Sequence, residues 1–423
     1  MRHGTENTPR TAAVAAVAAG DDRGQWLTLP GCKRVLVVVH TEVYGRRLGD
    51  LLPLLTADLR LQVYFTIAPH AFNAGAARAV PGPLPDGSVL PWEQALRMRF
   101  DLVLAAGSQG VHGLRGPLLR LPHGAGHMKL SRLADGRDPG AARTVGGLGR
   151  RYLVRDGRVV PRALALAHHD DLARLRRICP EALPVAEVVG DATYDRIVTS
   201  LPLRPRYRAA LGVRRGQKLV VVSSTWGTGS AFNRLDALLP RLLTELPAAE
   251  YRIAVLVHPN VWSWHGIWQV RSWLATAERR GIAVVPPDTD WRSLIIAADW
   301  VLGDHGSVTL YSTLTQAAVL LARFPADDVD PASPGAELAV LAPALTPSDA
   351  LPEQLAYARA ARPATGYDRI ARRISSEPGR AGRNTRRLMY RLLGLGEPAR
   401  EPSLPVVPLP AALWDTGRNQ VPA

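Results

Sequence analysis

Short apolar runs that alternate with helical patterns constrain the fold of this chain more than any other feature. The first run, KRVLVVVH at 33–40, has a continuous apolar centre rich in β-branched valine and is typical of a strand covered on both faces. A helical pattern follows at 45–57, and the next apolar run lies at 60–68. Because parallel strands need a long crossover between them, usually a helix, this alternation predicts an α/β fold with parallel sheets.

The alternation occurs in two halves that are separated by a proline-containing, charged segment at 201–217. In the first half the strands are predicted at 33–40, 60–68, 100–108 and 116–126, with a strand and turn at 184–197. In the second half they are predicted at 218–225, 251–258, 281–287, 298–304 and 317–325. The halves are therefore expected to be two Rossmann-like domains that face each other across a cleft.

We predict five regions along the chain. They are a disordered leader at 1–30, an N-terminal Rossmann-like acceptor domain at 31–200, a C-terminal Rossmann-like nucleotide donor domain at 201–335, helices at 336–395 that pack back across the domains, and a proline-rich tail at 396–423.

Charge and cysteine content narrow the functional classes. The chain has 423 residues, with 52 Lys and Arg against 37 Asp and Glu, and a formal net charge of +15, which favours anionic partners. Cys32 and Cys179 are too few for a disulfide framework or a structural zinc site. No apolar run reaches eighteen residues. We expect a cytoplasmic protein, with peripheral binding at the inner membrane surface as an open alternative.

Three histidine motifs follow predicted strands: LPHGAGHMKL at 121–130, VHPNVW at 257–262 and GDHGSVT at 303–309. Ligands of open α/β sheets bind beyond the carboxyl ends of the strands. If the two halves face each other, all three motifs converge on one cleft. The sequence therefore predicts a single site that both domains build.

The second half supplies a predicted phosphate grip. A histidine at the end of a strand, His258, can donate a hydrogen bond to a diphosphate or shuttle a proton. The turn after the later strand opens a helix, whose unpaired N–H groups suit phosphate. The simpler alternatives are a histidine bound within its own turn and ordinary helix capping. The predicted grip beside His258 comprises Asp304, His305, Gly306, Ser307, Val308 and Thr309.

The first half supplies a predicted general base. His123 lies at a strand end on a glycine turn, where it can meet a substrate hydroxyl. Gly124, His127 and Lys129 follow and are predicted to contact an anionic acceptor. The alternative is a turn with exposed polar residues. Further on, Gly190 and Asp191 are predicted at the domain junction, with helix capping by Asp191 as the alternative.

Several common motifs are absent from the sequence. The segment SSTWGTGS at 223–230 lacks the P-loop pattern, and no G-x-G-x-x-G follows the first strand. No H-E-x-x-H or spaced cysteine set indicates a metal site. We therefore expect no cofactor and no metal, a nucleotide-activated small molecule as substrate, and no specific nucleic-acid partner.

Together the motifs resemble the CDP-glycerol glycerophosphotransferase family, which comprises teichoic-acid polymerase-like enzymes with the GT-B fold. The resemblance rests on an HG histidine followed by a lysine, an HP histidine after a strand, and an Asp-x-x-Ser turn. It implies that His123 is the base that activates an acceptor hydroxyl and that His258 touches the donor diphosphate. It also implies that Asp304 and Ser307 are the first and last positions of the phosphate turn.

The sequence departs from this family at the same turn. The usual SDYSS is GDHGS here, Tyr311 stands where the family commonly has an aspartate that helps to bind glycerol, and Leu256 replaces an arginine. The resemblance implies transfer of a phospho-alditol or glycosyl group to an acceptor hydroxyl, with an anionic polymer or a lipid-linked molecule as candidate acceptors. The alternatives are a UDP-sugar epimerase or hydrolase on the same fold, and a non-catalytic nucleotide- or polymer-binding protein.

Overall fold

The computed structural model describes residues 29–80, 89–131, 143–362 and 364–414. The predicted leader at 1–30 lies almost entirely outside these residues, as do residues 415–423 of the predicted tail. No helix within the described ranges is both long enough and apolar enough to cross a membrane.

The N-terminal half contains β1 (Lys33–Val39), β2 (Leu61–Ile67), β3 (Val89–Leu90), β4 (Leu102–Ala105), β5 (Leu118–Arg120), β6 (Val154–Arg155), β7 (Arg158–Val159), β8 (Ala163–Leu166) and β9 (Ala186–Val188). Seven of these strands form a sheet in the order β3-β2-β1-β4-β5-β8-β9, and every pair in it is parallel. Strands β6 and β7 form a separate antiparallel hairpin.

The C-terminal half contains β10 (Lys218–Ser223), β11 (Tyr251–Leu256), β12 (Ala283–Val284), β13 (Trp300–Gly303) and β14 (Ala318–Leu321). They form a second parallel sheet in the order β12-β11-β10-β13-β14. The predicted α/β class with two parallel sheets is confirmed. In each sheet the strand order reverses once, between β1 and β4 and between β10 and β13, and such a switch point is where ligands of this architecture bind.

Helices cover the sheets and connect their strands. They are α1 (Glu42–Gly49), α2 (Trp92–Arg97), α3 (Arg150–Leu153), α4 (His169–Ile178), α5 (Ala192–Ser200), α6 (Arg204–Leu211), α7 (Leu235–Glu245), α8 (Pro259–His265), α9 (Ile267–Arg279), α10 (Trp291–Ala297), α11 (Ser307–Tyr311), α12 (Pro334–Leu341), α13 (Leu351–Ala361), α14 (Ala364–Arg372) and α15 (Ala381–Leu393).

Burial explains why the β-branched runs form central strands. All five residues of Val35–Val39 in β1 are at most 1% exposed, since helices pack on both faces of the sheet. Strand β8 and helix α4 were not predicted from the sequence. The β8 segment, ALAL, has weak intrinsic strand preference, and burial between its neighbours fixes it as a strand.

The C-terminal helices divide between the two halves. Helix α13 packs on the core of the C-terminal sheet through Leu351 and Leu355, whereas α15 packs on the N-terminal core through Leu388 and Tyr390. The described part of the following segment, 396–414, has no helix or strand but returns to the C-terminal half. There the Tyr207 hydroxyl donates to the carbonyl oxygen of Val407 at 2.6 Å.

Candidate functional site

A cavity of about 1370 Å³ lies between the two sheets, and residues that follow the carboxyl ends of strands in both halves line it. The loops after β1, β4 and β5 form the N-terminal wall. The loops after β10, β11 and β13 form the C-terminal wall. Both walls therefore include the switch point of their sheet, as the sequence predicted for a shared site.

Asp304, at the end of β13, anchors the C-terminal wall from inside. Its carboxylate accepts hydrogen bonds from the backbone N–H groups of Thr225 at 2.8 Å, Ala231 at 2.9 Å and Gly306 at 3.0 Å. Burial raises the pKa of this carboxyl, against the lowering effect of the Ala231 and Thr225 hydrogen bonds. The side chain thereby joins the loops after β10 and β13 and is only 2% exposed.

Two residues of the predicted phosphate grip do not line the cleft. Asp304 is used up by the backbone donors, and Thr309 is 1% exposed, with its hydroxyl accepting from the Asp304 N–H at 3.2 Å. Neither side chain is therefore free to contact a diphosphate, because both fold the turn, and the contact through the backbone at Thr309 stays a prediction. The other members of the predicted grip do line the cleft: His305, Gly306, Ser307 and Val308.

The two histidines of the C-terminal wall are neutral. His258 Nδ1 accepts from the Asn260 N–H at 3.0 Å and caps α8, which leaves Nε2 to carry the ring proton. His305 Nδ1 is buried without a hydrogen-bond partner. Burial, with the positive charge of Lys129, lowers the pKa of both imidazoles to about 3. The Nδ1 atom of His258 is thus bonded within its own turn, whereas its Nε2–H group can donate to a ligand.

The HG motif of the N-terminal half meets the C-terminal phosphate turn directly. His123 opens onto the cleft, and its ring centroid lies 4.6 Å from that of Tyr44. A Cβ atom added to Gly124 would come within 2.6 Å of Ser307 Oγ, so the two walls are in close contact here and a larger residue would displace the Ser307 hydroxyl. Desolvation, together with the charge of Arg120, lowers the pKa of His123 to about 3, which keeps the ring neutral.

The two remaining residues of the HG segment have different positions. His127 Nδ1 lies 3.1 Å from Asp171 Oδ1, inside the N-terminal half, so the predicted anion contact through this nitrogen is not made. Lys129 bridges the halves, because it forms an antiparallel backbone bridge with Val329. Its charge acts on groups from both walls, His123, His258 and His305.

Asp191 lies where the two halves meet. Its carboxylate Oδ2 accepts from Arg47 Nη2 at 2.6 Å and from the Tyr311 hydroxyl at 2.7 Å. Its Oδ1 caps α5, so the capping alternative also holds. Gly190 precedes it with φ +92°, and a Cβ there would lie 3.0 Å from the Glu377 carbonyl oxygen. Tyr311, which stands where the resembled family commonly has an aspartate, is therefore a buried residue at the junction of the two halves.

Sequence reasoning missed the polar groups at the N-terminal switch point. His40 follows β1, Ser108 lies shortly after β4, and Arg120 ends β5. Each lines the cleft and has a buried polar atom without a hydrogen-bond partner in the described part of the chain. Thr225, in the C-terminal wall, also lines the cleft and has a buried hydroxyl without a hydrogen-bond partner among the described residues. A usable signal was present for His40, because it ends an apolar run in the same way as His258.

Neither a family model nor a curated protein sequence matches the chain. Among solved structures, the wall teichoic acid polymerase TagF superposes with a TM-score of 0.58 at 14% identity, over 86% of this chain and 89% of that chain. The same polymerase after soaking with CDPG gives 0.57 at 13% identity, over 86% and 89%. UDP-GlcNAc 2-epimerase from Methanocaldococcus jannaschii gives 0.49 at 13% identity, over 84% and 99%.

The likeness to the polymerase defines the class of architecture. The chain has a GT-B fold, as predicted, with one parallel sheet in each half and the cleft between them. At 14% identity this likeness concerns the fold alone.

Proposed function

We propose that this chain is a transferase that moves a phospho-alditol or glycosyl group from a nucleotide-diphosphate donor to an acceptor hydroxyl. The observation that carries the proposal is the approach of the His123–Gly124 turn to Ser307 across the cleft. A candidate base on one wall thereby meets a candidate phosphate contact on the other, which is the juxtaposition that group transfer between two bound substrates needs.

The C-terminal wall is the proposed donor side. Ser307 supplies a hydroxyl, and His258 supplies an Nε2 proton. The positive charge of Lys129 acts on this wall, and a diphosphate bound there would be stabilised by it. We propose no metal in this step, because these groups can themselves balance the charge of the leaving nucleotide.

The N-terminal wall is the proposed acceptor side. Neutral His123 takes the proton of the acceptor hydroxyl while the oxygen forms its bond to the donor phosphorus or anomeric carbon. The bond to the nucleotide breaks, and the nucleotide leaves with the electron pair. The pKa of His123 is about 3 before ligands bind. An anionic donor beside Arg120 and Lys129 would offset those charges and raise the pKa, which makes the imidazole a better base.

A ligand screen followed by turnover tests the proposal. A nucleotide-diphosphate conjugate of cytidine, uridine, guanosine or adenosine should raise the melting temperature by mass action. His123→Ala should then lower turnover by roughly 10²- to 10⁴-fold while the ligand-induced shift persists. Ser307→Ala should reduce the rise in melting temperature that the ligand causes.

Three results would contradict transfer. If no conjugate raised the melting temperature, the proposed donor site would be contradicted. Consumption of a UDP-sugar without an acceptor would point to an epimerase or hydrolase. A clear shift without turnover, unchanged in His123→Ala, would point to a binding protein.

A further inference from the structure

Arg120 is a buried cation without an anionic partner. It ends β5, is 6% exposed and lines the cleft, and its Nη1 has no hydrogen-bond partner among the residues that the structure describes. No carboxylate in the described ranges pairs with it. Burial lowers its pKa to about 10, so the guanidinium still carries its charge at neutral pH.

The other buried arginines that the structure describes have carboxylate partners. Arg174 pairs with Asp330, and Arg386 pairs with Glu397, each at 3.0 Å. The remaining two, Arg196 and Arg292, share Asp50. A buried charge is costly unless it is paired, so an unpaired one in a ligand cleft calls for a partner from outside the chain.

The surroundings of Arg120 indicate what that partner is. His40, Ser108 and Arg120 lie at or just beyond the carboxyl ends of three adjacent strands, β1, β4 and β5. His40 Nε2 lies 2.8 Å from the Gln109 carbonyl oxygen and therefore carries the ring proton, which leaves Nδ1 as an acceptor. The titratable side chains that act on Arg120 are the phenols of Tyr44 and Tyr152, and neither is a carboxylic acid.

We propose that Arg120, at the switch point of the N-terminal sheet, binds the phosphate group of a hydroxyl-bearing phosphate ester. A guanidinium matches phosphate geometry better than an ammonium does. His123 follows Arg120 by three positions at the end of β5 and lines the same cleft, so a hydroxyl of the same ligand can reach the imidazole. That this ester is the acceptor rests on the proposed function, whereas the phosphate site itself does not.

Isothermal titration of the full-length chain with simple probes tests the site. Inorganic phosphate and glycerol 3-phosphate should bind, the ester more tightly, and glycerol should not. Arg120→Gln should weaken both phosphate ligands by at least ~10-fold, since a charge-assisted hydrogen bond is lost. Arg120→Lys, which keeps the charge without the planar fork, should weaken them less. Arg386→Gln, which removes a buried arginine that does not line the cleft, is the matched control and should leave the phosphate affinity within about twofold.

Thermal stability separates a ligand-binding arginine from a structural one. Without ligand, Arg120→Gln should melt at or above the wild-type temperature, because an uncompensated buried charge has been removed. Phosphate should then raise the wild-type melting temperature and, at the same concentration, raise that of the variant much less. Loss of several degrees in Arg120→Gln together with unchanged phosphate affinity would overturn the proposal.

The outcome is independent of the donor screen. If phosphate binds through Arg120 but no nucleotide conjugate shifts the protein, the phosphate site stands and the proposed transfer fails. If a conjugate binds and is turned over while Arg120→Gln retains wild-type phosphate affinity, the transfer stands and this subsite is refuted. Equal binding of glycerol and glycerol 3-phosphate would also refute it.

Discussion

Two arginines in the walls of the cleft have opposite environments. Arg47, at the junction of the halves, donates to Asp191 at 2.6 Å and to the Tyr311 hydroxyl at 2.7 Å. Arg120, at the end of β5, has no carboxylate partner in the described parts of the chain. Both side chains are almost fully buried, so the difference lies in the partners rather than in the exposure.

The difference in partners indicates a structural role for Arg47 and a ligand-binding role for Arg120. A paired cation at a domain junction fixes the position of both halves, and its removal should cost stability. An unpaired cation in a cleft lowers stability as it stands, and it is typical of a binding site, where local rules are broken for a ligand. Substitutions can convert one environment into the other, and titrations can measure the effect of each cation on its neighbours.

The largest effect is expected from Asp191→Ala, which leaves Arg47 as a second unpaired buried arginine. We expect a loss of about 3–5 kcal/mol in the free energy of unfolding, because an uncompensated buried charge remains. Urea denaturation monitored by tryptophan fluorescence would measure it. A double variant with Arg47→Met should recover part of the loss. A single-variant loss below about 1 kcal/mol would mean that the junction pair is dispensable.

Acid lability is the next largest effect and reflects the partly or fully buried histidines of the C-terminal wall. Burial lowers the pKa of His258 and His305 to about 3. A depressed folded-state pKa gives stability that is full above the unfolded value near 6.5 and is lost as pH falls toward 3. Each histidine should add up to about 1.4 kcal/mol per pH unit to that slope.

His305→Asn checks this slope, since the substituted side chain cannot titrate. Unfolding free energies at pH 7.5, 5.5 and 4.5 should fall less steeply for the variant than for the wild type, by about one proton. Parallel curves for the two proteins would contradict a neutral His305 in the folded state.

The secondary structure followed from the sequence where local pattern and burial agree. The runs at 33–40 and 218–225 contain strands β1 and β10, since each has a valine-rich apolar centre. The ALAL strand β8 escaped prediction because its residues carry little local preference, and only its neighbours in the sheet define it.

The position of the site followed from the sequence, but its internal bonding did not. Strand ends were sufficient to place His123 and Ser307 at one cleft. The hydrogen bonds of Asp304 join it to a loop more than seventy residues earlier, and nothing local signals them. The same holds for Tyr311, whose partner Asp191 lies 120 positions away in the chain.

Tyr311→Phe tests the second partner of the paired arginine. The variant keeps the ring packing and removes one hydroxyl, so we expect a loss of about 1 kcal/mol in unfolding free energy. Asp191 and Arg47 keep their ion pair, which is why the loss should be well below that of Asp191→Ala. A loss as large as that of Asp191→Ala would show that the hydroxyl, rather than the charge pair, holds the junction.

The smallest effect is a titration shift at His123, and it measures the unpaired arginine directly. The charge of Arg120 lowers the pKa of His123, so neutralising that charge should raise the pKa. Saturating phosphate should do so by roughly one unit in the wild type. NMR of the histidine Cε1–H signals over pH would measure it, with His123→Asn to assign the resonance. Arg120→Gln should raise the pKa without phosphate and abolish the further shift on its addition. If phosphate shifts His123 equally in that variant, the anion binds elsewhere, and the contrast between Arg47 and Arg120 has no consequence for ligand binding.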